Sequence, residues 1–164
     1  MVRYYSKMLH ATWIGWAVAG GVSWLGPLFA MFHSVGMALL IGCITVIDLR
    51  ILGVGKALPI KPLQRLLPWG ALGFALTLVS GIGFYASNPE QYQNLGFLLK
   101  MLCIVLAGIN GLLFYTSGLY RRVNPVGPHE DAPAAAKLSA IASICLWFTV
   151  LYWGRVLAFL NDAF

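Results

Sequence analysis

Three residues with basic or ionisable side chains, His33, Lys100 and Arg155, lie within long hydrophobic segments of the chain. A charged group at the centre of a membrane helix costs about 3 kcal/mol or more, so such residues usually face a cavity, a cofactor or a partner. An imidazole nitrogen can ligate haem iron, and lysine or arginine can bind haem propionates through charge-assisted hydrogen bonds. These residue types predict a b-type haem site in which His33 is the metal ligand.

The composition indicates where such a site would lie. Hydrophobic residues make up 60% of the 164 residues and charged residues only 10%, which is typical of a membrane protein. The net charge is +6, but the basic residues flank apolar segments, so the expected partner is the lipid bilayer and not nucleic acid. The three cysteines lie in separate apolar segments without a CxxC pair, and they are expected to be buried free thiols.

Apolar segments long enough to cross a bilayer recur along the chain. A hydrocarbon core about 30 Å thick needs about 20 helical residues. Four spanning helices are predicted, over residues 24–49, 66–85, 95–119 and 138–160. Residues 11–49 are too few for two spans and a turn, so residues 4–19, with Trp13 and Trp16, are expected to form an interfacial helix; a partial fifth span is the alternative. The predicted fold class is all-α, an integral membrane four-helix bundle in one domain, 1–164.

The basic residues predict the orientation of this bundle. The first and third connections between spans carry all of the loop lysines and arginines, namely Arg50, Lys56, Lys61, Arg65, Arg121, Arg122 and Lys137. The second connection, residues 86–94, carries none. The positive-inside rule therefore predicts a multi-pass protein of the bacterial inner membrane with both termini in the periplasm.

The three membrane-embedded residues are predicted to lie at similar depths below the outer edge of the bilayer. Counting about 1.5 Å per residue, His33 lies roughly 13 Å from the outer edge of its span, and Lys100 and Arg155 each lie roughly 9 Å from it. Gly36 and Met37 share a helix face with His33, and Gly36 leaves room for a flat cofactor or for a closely packed helix. The structural alternative is that Lys100 and Arg155 snorkel to the interface.

A six-coordinate haem needs a second axial ligand, and no other histidine lies in a predicted span. His10 from the interfacial helix, Met31 or Met37, or His33 of a second copy are the candidates, and a five-coordinate haem is a further alternative. His33 and Lys100 could instead bind a quinone by donating to its carbonyl oxygens. Copper is another alternative, as is a His33 that merely hydrogen-bonds to a neighbouring helix.

Two charged residues end the first span. Asp48 and Arg50 are two positions apart, so on a helix they point to different sides. Arg50 is interpreted as a positive-inside anchor. Asp48 is expected to pair with Arg121 or Arg122 at the end of the third span, in a structural role.

Several motifs resemble a family of small bacterial four-helix membrane proteins of unknown function. The pieces that carry this resemblance are Trp24-x-x-Pro27, Phe32-His33-x-x-Gly36, Asp48-Leu49-Arg50-x-x-Gly53, Phe97-x-x-Lys100 and Gly154-Arg155. The architecture is also similar to the membrane domain of copper-resistance D-type proteins and to four-helix bacterial protoporphyrinogen oxidases. The latter bind b-type haem and rely on histidine and lysine, which favours the haem interpretation.

The leading hypothesis is a haem-b membrane redox protein that passes electrons between a periplasmic partner and the quinone pool. A second hypothesis is a cofactor-free assembly or interaction subunit of a larger membrane complex. Among partners, a homo-oligomer is the alternative to such a complex. A third is an accessory protein for transport of copper or another small solute. An enzyme that acts on a porphyrin is also consistent with these residues, but the sequence identifies no catalytic residue.

Overall fold

A computed structural model describes residues 12–92 and 94–160, with the side chains of 90, 91 and 157–160 excepted. The described residues contain helices and turns but no strand, and four helices are long and apolar enough to cross a membrane. This confirms the all-α bundle and makes the chain a multi-pass membrane protein. The helices are α1 Trp13–Trp16, α2 Leu25–Leu52, α3 Ile60–Leu63, α4 Leu67–Ser87, α5 Leu95–Thr116, α6 Leu119–Val123 and α7 Ala134–Leu160.

The spanning helices α2, α4, α5 and α7 lie where the hydropathy places them, and their ends differ from the predicted ones by a few residues. The third span ends early because Gly118 adopts a left-handed conformation (φ 78°) and starts the short helix α6. The last span begins directly after Pro133, whose carbonyl accepts hydrogen bonds from the amides of Ala136 and Lys137. The helix therefore starts before its apolar segment does.

The predicted interfacial helix falls partly outside the described residues. Its described part consists of α1, capped by Thr12 Oγ1, and a π-helical turn over Ala17–Gly21. Trp13 and Trp16 are more than half exposed, whereas Ala17 and Val18 are buried. The segment packs on α2 and α4 and turns its tryptophans outward. Its location at the membrane interface stays a prediction.

The four spans pack in the order α4–α2–α7–α5. The most extensive contacts join α2 to α4 and α5 to α7, and α2 to α7 joins the two pairs. Within the described chain, α2 and α5 make only sparse contact with each other. A cleft therefore separates α2 from α5, and α7 forms its third side.

Glycines bring α2 and α4 unusually close together. A Cβ added at Gly36 would lie 2.6 Å from Thr77 Oγ1, and one at Gly73 would lie 2.6 Å from the Leu40 amide nitrogen. Backbones approach in this way in membrane helix pairs that lack a bulky side chain at the contact. The α2–α4 pair is therefore a closely packed unit.

The two connections at one end of the bundle are ordered by Arg50. This end, called the basic end below, carries residues 53–59 (the first loop) and 124–133 (the second loop). Arg50 is 2% exposed, and its guanidinium donates to the carbonyls of Leu58 and Lys56 in the first loop. It also donates to the second loop, at 2.9 Å from Gly127 O and 3.5 Å from Glu130 O. The interpretation of Arg50 as a positive-inside anchor misses this structural role, because all of these hydrogen bonds go to backbone oxygens of the loops.

Further hydrogen bonds and ion pairs connect the two loops of the basic end directly, in addition to those of Arg50. The His129 amide donates to Lys56 O at 2.7 Å, and the Ile60 amide donates to Val126 O at 3.3 Å. Asp131 accepts from Lys137 and Lys56, each at 2.8 Å, and these two ammonium groups lower the pKa of the Asp131 carboxyl to about 2. Asp131 therefore stays ionised at neutral pH and holds both lysines in place.

We predict that Arg50→Lys lowers the free energy of unfolding by about 3 kcal/mol, because one ammonium cannot reach carbonyls in both loops and would leave several of them unpaired. Thermal unfolding in detergent measures the change, and limited proteolysis should show new cleavage in both loops. Arg65→Lys, at an exposed position of the same end, is the control and should behave like the parent protein. Equal stability of the two variants would contradict this role.

Candidate functional site

His33 lies on α2 and faces α4. Its Nδ1 is 2.9 Å from Ser80 Oγ, and its ring meets Phe84 edge to face with centroids 5.7 Å apart. The Ser80 hydroxyl donates its one proton within α4, to Leu76 O at 2.6 Å. With that proton committed, the imidazole is the donor from Nδ1, and the neutral form of such a ring has its acceptor at Nε2. An Nε2 acceptor is the form in which histidine ligates a metal.

Helix packing fills the space that is expected beside His33. Of the two alternatives for Gly36, the closely packed helix is the one that the structure shows, because α4 fills the space next to it. Met37, one position along, is half-buried. Gly81 of α4 lies against the imidazole, and a Cβ there would be 3.6 Å from Cε1. His10 lies outside the described residues.

Lys100 lies beside Gly154, the residue before Arg155, where α5 packs against α7. Lys100 on α5 is half-buried and lies over Gly154 of α7, where an added Cβ would be 3.5 Å from Nζ. Arg155 is exposed. The Lys100 ammonium also interacts electrostatically with His33. The three residues thus share one end of the bundle, but His33 contacts α4 whereas Lys100 contacts α7.

The potential metal ligands are dispersed. Among the described residues, no three histidine, cysteine, aspartate or glutamate side chains group together. The cysteines are free thiols, as expected, although only Cys43 is buried; Cys103 is half-buried and Cys145 exposed. A metal bound through His33 would need further ligands from a cofactor or another molecule.

A second site lies in the cleft between α2, α5 and α7, near the basic end. It is a cavity of about 230 Å³. The α3 residue Ile60, the 3₁₀ turn Gln64–Leu66 and α6 close it towards the loops. Its walls are mostly aliphatic and aromatic, and its polar residues are Asp48, Gln64, Asn110, Tyr115, Tyr120, Ser139 and Ser143.

Most of these polar groups hydrogen-bond to one another. Asn110 Nδ2 donates to Ser139 O at 3.1 Å, and Ser139 Oγ donates to Asn110 Oδ1 at 3.0 Å. The Tyr120 hydroxyl donates to Gln64 Oε1 at 2.8 Å, and Gln64 Nε2 donates to Asn124 Oδ1 at 3.1 Å. These two groups of hydrogen bonds therefore satisfy most of the polar side chains that line the cavity.

Asp48 is the exception. Its side chain is 8% exposed and hydrogen-bonds to Ser143 of α7, but in the described part of the protein its Oδ2 has no partner. The prediction that Asp48 pairs with Arg121 or Arg122 is wrong, because both arginines are exposed on α6 while the carboxyl faces the cavity. As predicted, Asp48 and Arg50 point to different sides of α2.

The sequence contains a signal for this site that the search for basic residues missed. Ser139, Ser143 and Trp147 share one face of the last span by their four-residue spacing. Counted from the helix ends, Asp48 lies roughly 6 Å and Asn110 roughly 9 Å from the basic end of their spans. This agreement in depth depends on the observed helix ends. On the predicted spans, which end at residues 49 and 119, Asp48 and Asn110 lie roughly 1.5 Å and roughly 13.5 Å from the basic end, so depth counted from the sequence does not group them.

Comparison with known proteins identifies the family of the chain. No curated protein matches it, and no solved structure matches it. The similarity in architecture to copper-resistance and haem proteins therefore stays a prediction. A family model described as "Family of unknown function (DUF6644)" matches residues 6–160, nearly the whole length. The chain is accordingly a member of the DUF6644 family.

Proposed function

We propose that this protein binds a small, mostly apolar molecule inside the membrane, in the cavity between α2, α5 and α7, through a donor group that reaches Asp48. The observation that supports this is Asp48, a buried residue of the cavity lining whose carboxyl keeps one oxygen without a partner among the described residues. A buried acceptor in that state costs about 1–3 kcal/mol, and more if charged. Such a group calls for an explanation, and a ligand that supplies the missing donor is one.

The form of the cavity agrees with ligand binding. Small-molecule sites are concave and largely apolar, with a few polar groups that fix the orientation of the ligand. Here aliphatic residues from α2, such as Ile44, Ile47 and Ile51, face Phe114 and Trp147 from α5 and α7. A ligand with a mostly apolar body partitions into the bilayer and so is concentrated around a protein whose outer surface is apolar.

We also propose that the basic end faces the cytoplasm of a bacterial cell. Lys61, Arg65, Arg121 and Arg122 are exposed there, and residues 86–94 at the opposite end contain no lysine or arginine. The positive-inside rule favours this orientation. The cavity would then lie in the cytoplasmic half of the bilayer, and both termini would be periplasmic.

Asp48→Leu should raise the free energy of unfolding of the ligand-free protein by about 1–2 kcal/mol, because it removes an unsatisfied buried carboxyl while Ser143 can bond back to its own helix. Thermal unfolding of the purified variant measures this. Ile47→Leu, on the same helix, is the control for the change of shape. A clear loss of stability in Asp48→Leu alone would indicate a structural role for the carboxyl.

Binding itself can be tested with para-tert-butylbenzyl alcohol, a compact apolar molecule with one hydroxyl donor. Isothermal titration of the protein in phosphatidylcholine nanodiscs should give a Kd of about 1 mM or tighter, the range expected for a ligand of this size. Gly111→Leu should weaken binding roughly tenfold or more, because its side chain would occupy the cavity. A Cβ at Gly111 meets nothing within 4 Å, so the fold should tolerate it.

Gly108→Leu is the matched control for that experiment. Gly108 is exposed on the same helix, also has nothing within 4 Å of an added Cβ, and does not line the cavity. It should bind the alcohol like the parent protein. If the alcohol does not bind, or binds equally to both glycine variants, the cavity is not a binding site and the proposal fails.

A second candidate function is the haem-b redox role, and the observation that favours it is the hydrogen bond between His33 Nδ1 and Ser80 Oγ. The hydrogen bond from Nδ1 to Ser80 orients the ring and leaves Nε2 of the neutral form as an acceptor. Hydrogen-bond partners of metal-ligating histidines commonly fix the ring in this way. Lys100 lies at the same end of the bundle and would be a partner for a haem propionate. In this role the haem supplies the electron-transfer chemistry, and the protein holds and orients it.

The haem proposal predicts a Soret band in the detergent-purified protein, with a shift on reduction by dithionite. His33→Ala should abolish the band, and Ser80→Ala should weaken haem retention roughly tenfold, in line with the usual effect of a partner of a ligating histidine. Cys145→Ser, at an exposed residue on α7, is the control. A colourless protein after haem reconstitution, or a band that survives in His33→Ala, would exclude His33 as the haem ligand.

A further inference from the structure

We infer that the ligand of the Asp48 cavity is a protonated amine attached to a compact apolar group. This rests on the proposed binding function and specifies its ligand class. Three features of the cavity point to it: a buried carboxyl group with no basic side chain among the described lining residues, polar neighbours most of which are already hydrogen-bonded, and a lining rich in aromatic rings.

The first feature is the charge. Of the described residues that line the cavity, none is a lysine, an arginine or a histidine. Arg50 is close in sequence, but it points away from Asp48 and is committed to the carbonyls of the two loops. A carboxylate buried without an opposite charge is costly in a low-dielectric interior. An ammonium group supplies both the missing charge and an N–H donor for Oδ2.

The second feature restricts the rest of the ligand. Asn110 and Ser139 satisfy each other, and Tyr120 is bonded to Gln64. A ligand with several polar groups would find these partners taken and would lose hydrogen bonds to water without replacement. Asp48 Oδ2 is the buried acceptor left open among the described residues. One polar group on an apolar body therefore matches this cavity best.

The third feature favours a cation over a neutral donor. Phe114, Tyr115, Tyr120 and Trp147 line the cavity, and the rings of Tyr115 and Tyr120 pack with their centroids 4.8 Å apart. The negative face of an aromatic ring attracts a cation, and the attraction grows when both are removed from water. A carboxylate combined with several rings is thus a site for an organic ammonium ion.

The same residues are poorly suited to a bare metal ion. Hard cations such as Mg²⁺ and Ca²⁺ take about six or more oxygen ligands. The side-chain oxygens of Asn110 and Tyr120 are engaged in hydrogen bonds, and no group of three acidic, histidine or cysteine side chains occurs in the described ranges. An ammonium ion needs far fewer partners, because its apolar substituents fill the remaining space.

Three molecules of nearly the same shape test the inference: para-tert-butylbenzylamine, para-tert-butylbenzyl alcohol and para-tert-butylethylbenzene. They place an ammonium, a hydroxyl or a methyl group at the same position. We expect the amine to bind the parent protein roughly tenfold or more tightly than the alcohol, and the hydrocarbon to bind most weakly. Titration at neutral pH in phosphatidylcholine nanodiscs measures all three, and Gly111→Leu nanodiscs give the background from the lipid.

Asp48→Asn identifies the origin of the preference. It should remove most of the advantage of the amine while changing the affinity for the alcohol much less, because an amide keeps an acceptor but carries no charge. Asp48→Leu provides a second variant if the amide disturbs the fold. If the alcohol binds as well as the amine, or if the preference survives in both variants, the inference is overturned while the binding function stands. If none of the three molecules binds, the binding function itself fails.

Discussion

The interaction on which the structure most depends is the bonding of Arg50 to backbone carbonyls of both basic-end loops. A buried guanidinium normally has a carboxylate partner. Here its donors are spread over carbonyl dipoles, so one side chain ties together segments that are far apart in sequence. The principal buried cluster lies around it and includes Ile51, Ile60 and Val123. A cluster of buried apolar side chains therefore lies at the basic end, in a bundle whose surface is otherwise largely turned to lipid.

The hydrogen bonds of Arg50 to both loops explain why the cavity between α2, α5 and α7 does not close. Nothing in the apolar surfaces of α2 and α5 prevents them from closing on each other, since membrane helices pack wherever shapes allow. The loops fixed by Arg50 place Ile60, Gln64 and Tyr120 across the end of the cleft. On the other side, α7 packs on both helices and keeps them apart. The cavity is therefore bounded by ordered elements, and Asp48 is held at its wall by a helix that cannot rotate without breaking the loop contacts.

The sequence predicts the spans well because hydropathy and length decide them, and it predicts the opposite directions of Asp48 and Arg50 because helical geometry decides that. It does not predict their partners. Arg50 bonds to carbonyls whose positions depend on residues with positive φ, such as Gly53 and His129. No local sequence pattern predicts a loop conformation of that kind. The expectation that charges pair assigns Asp48 to arginines, whereas helix packing places it against Ser143 in the wall of the cavity.

The two residues of α2 that carry the binding proposals, His33 and Asp48, face different halves of the bundle. His33 and Asp48 are fifteen residues apart, about 22 Å along the helix. His33 bonds to α4, within the pair of helices that glycines bring into close contact. Asp48 faces α5 and α7, the other pair, across a cleft that only α7 and the loops bridge. A molecule bound at Asp48 would therefore add contacts between the two pairs where the protein itself has fewest. Its binding energy would stabilise their relative position, whereas occupancy at His33 would act within a pair that is already close-packed.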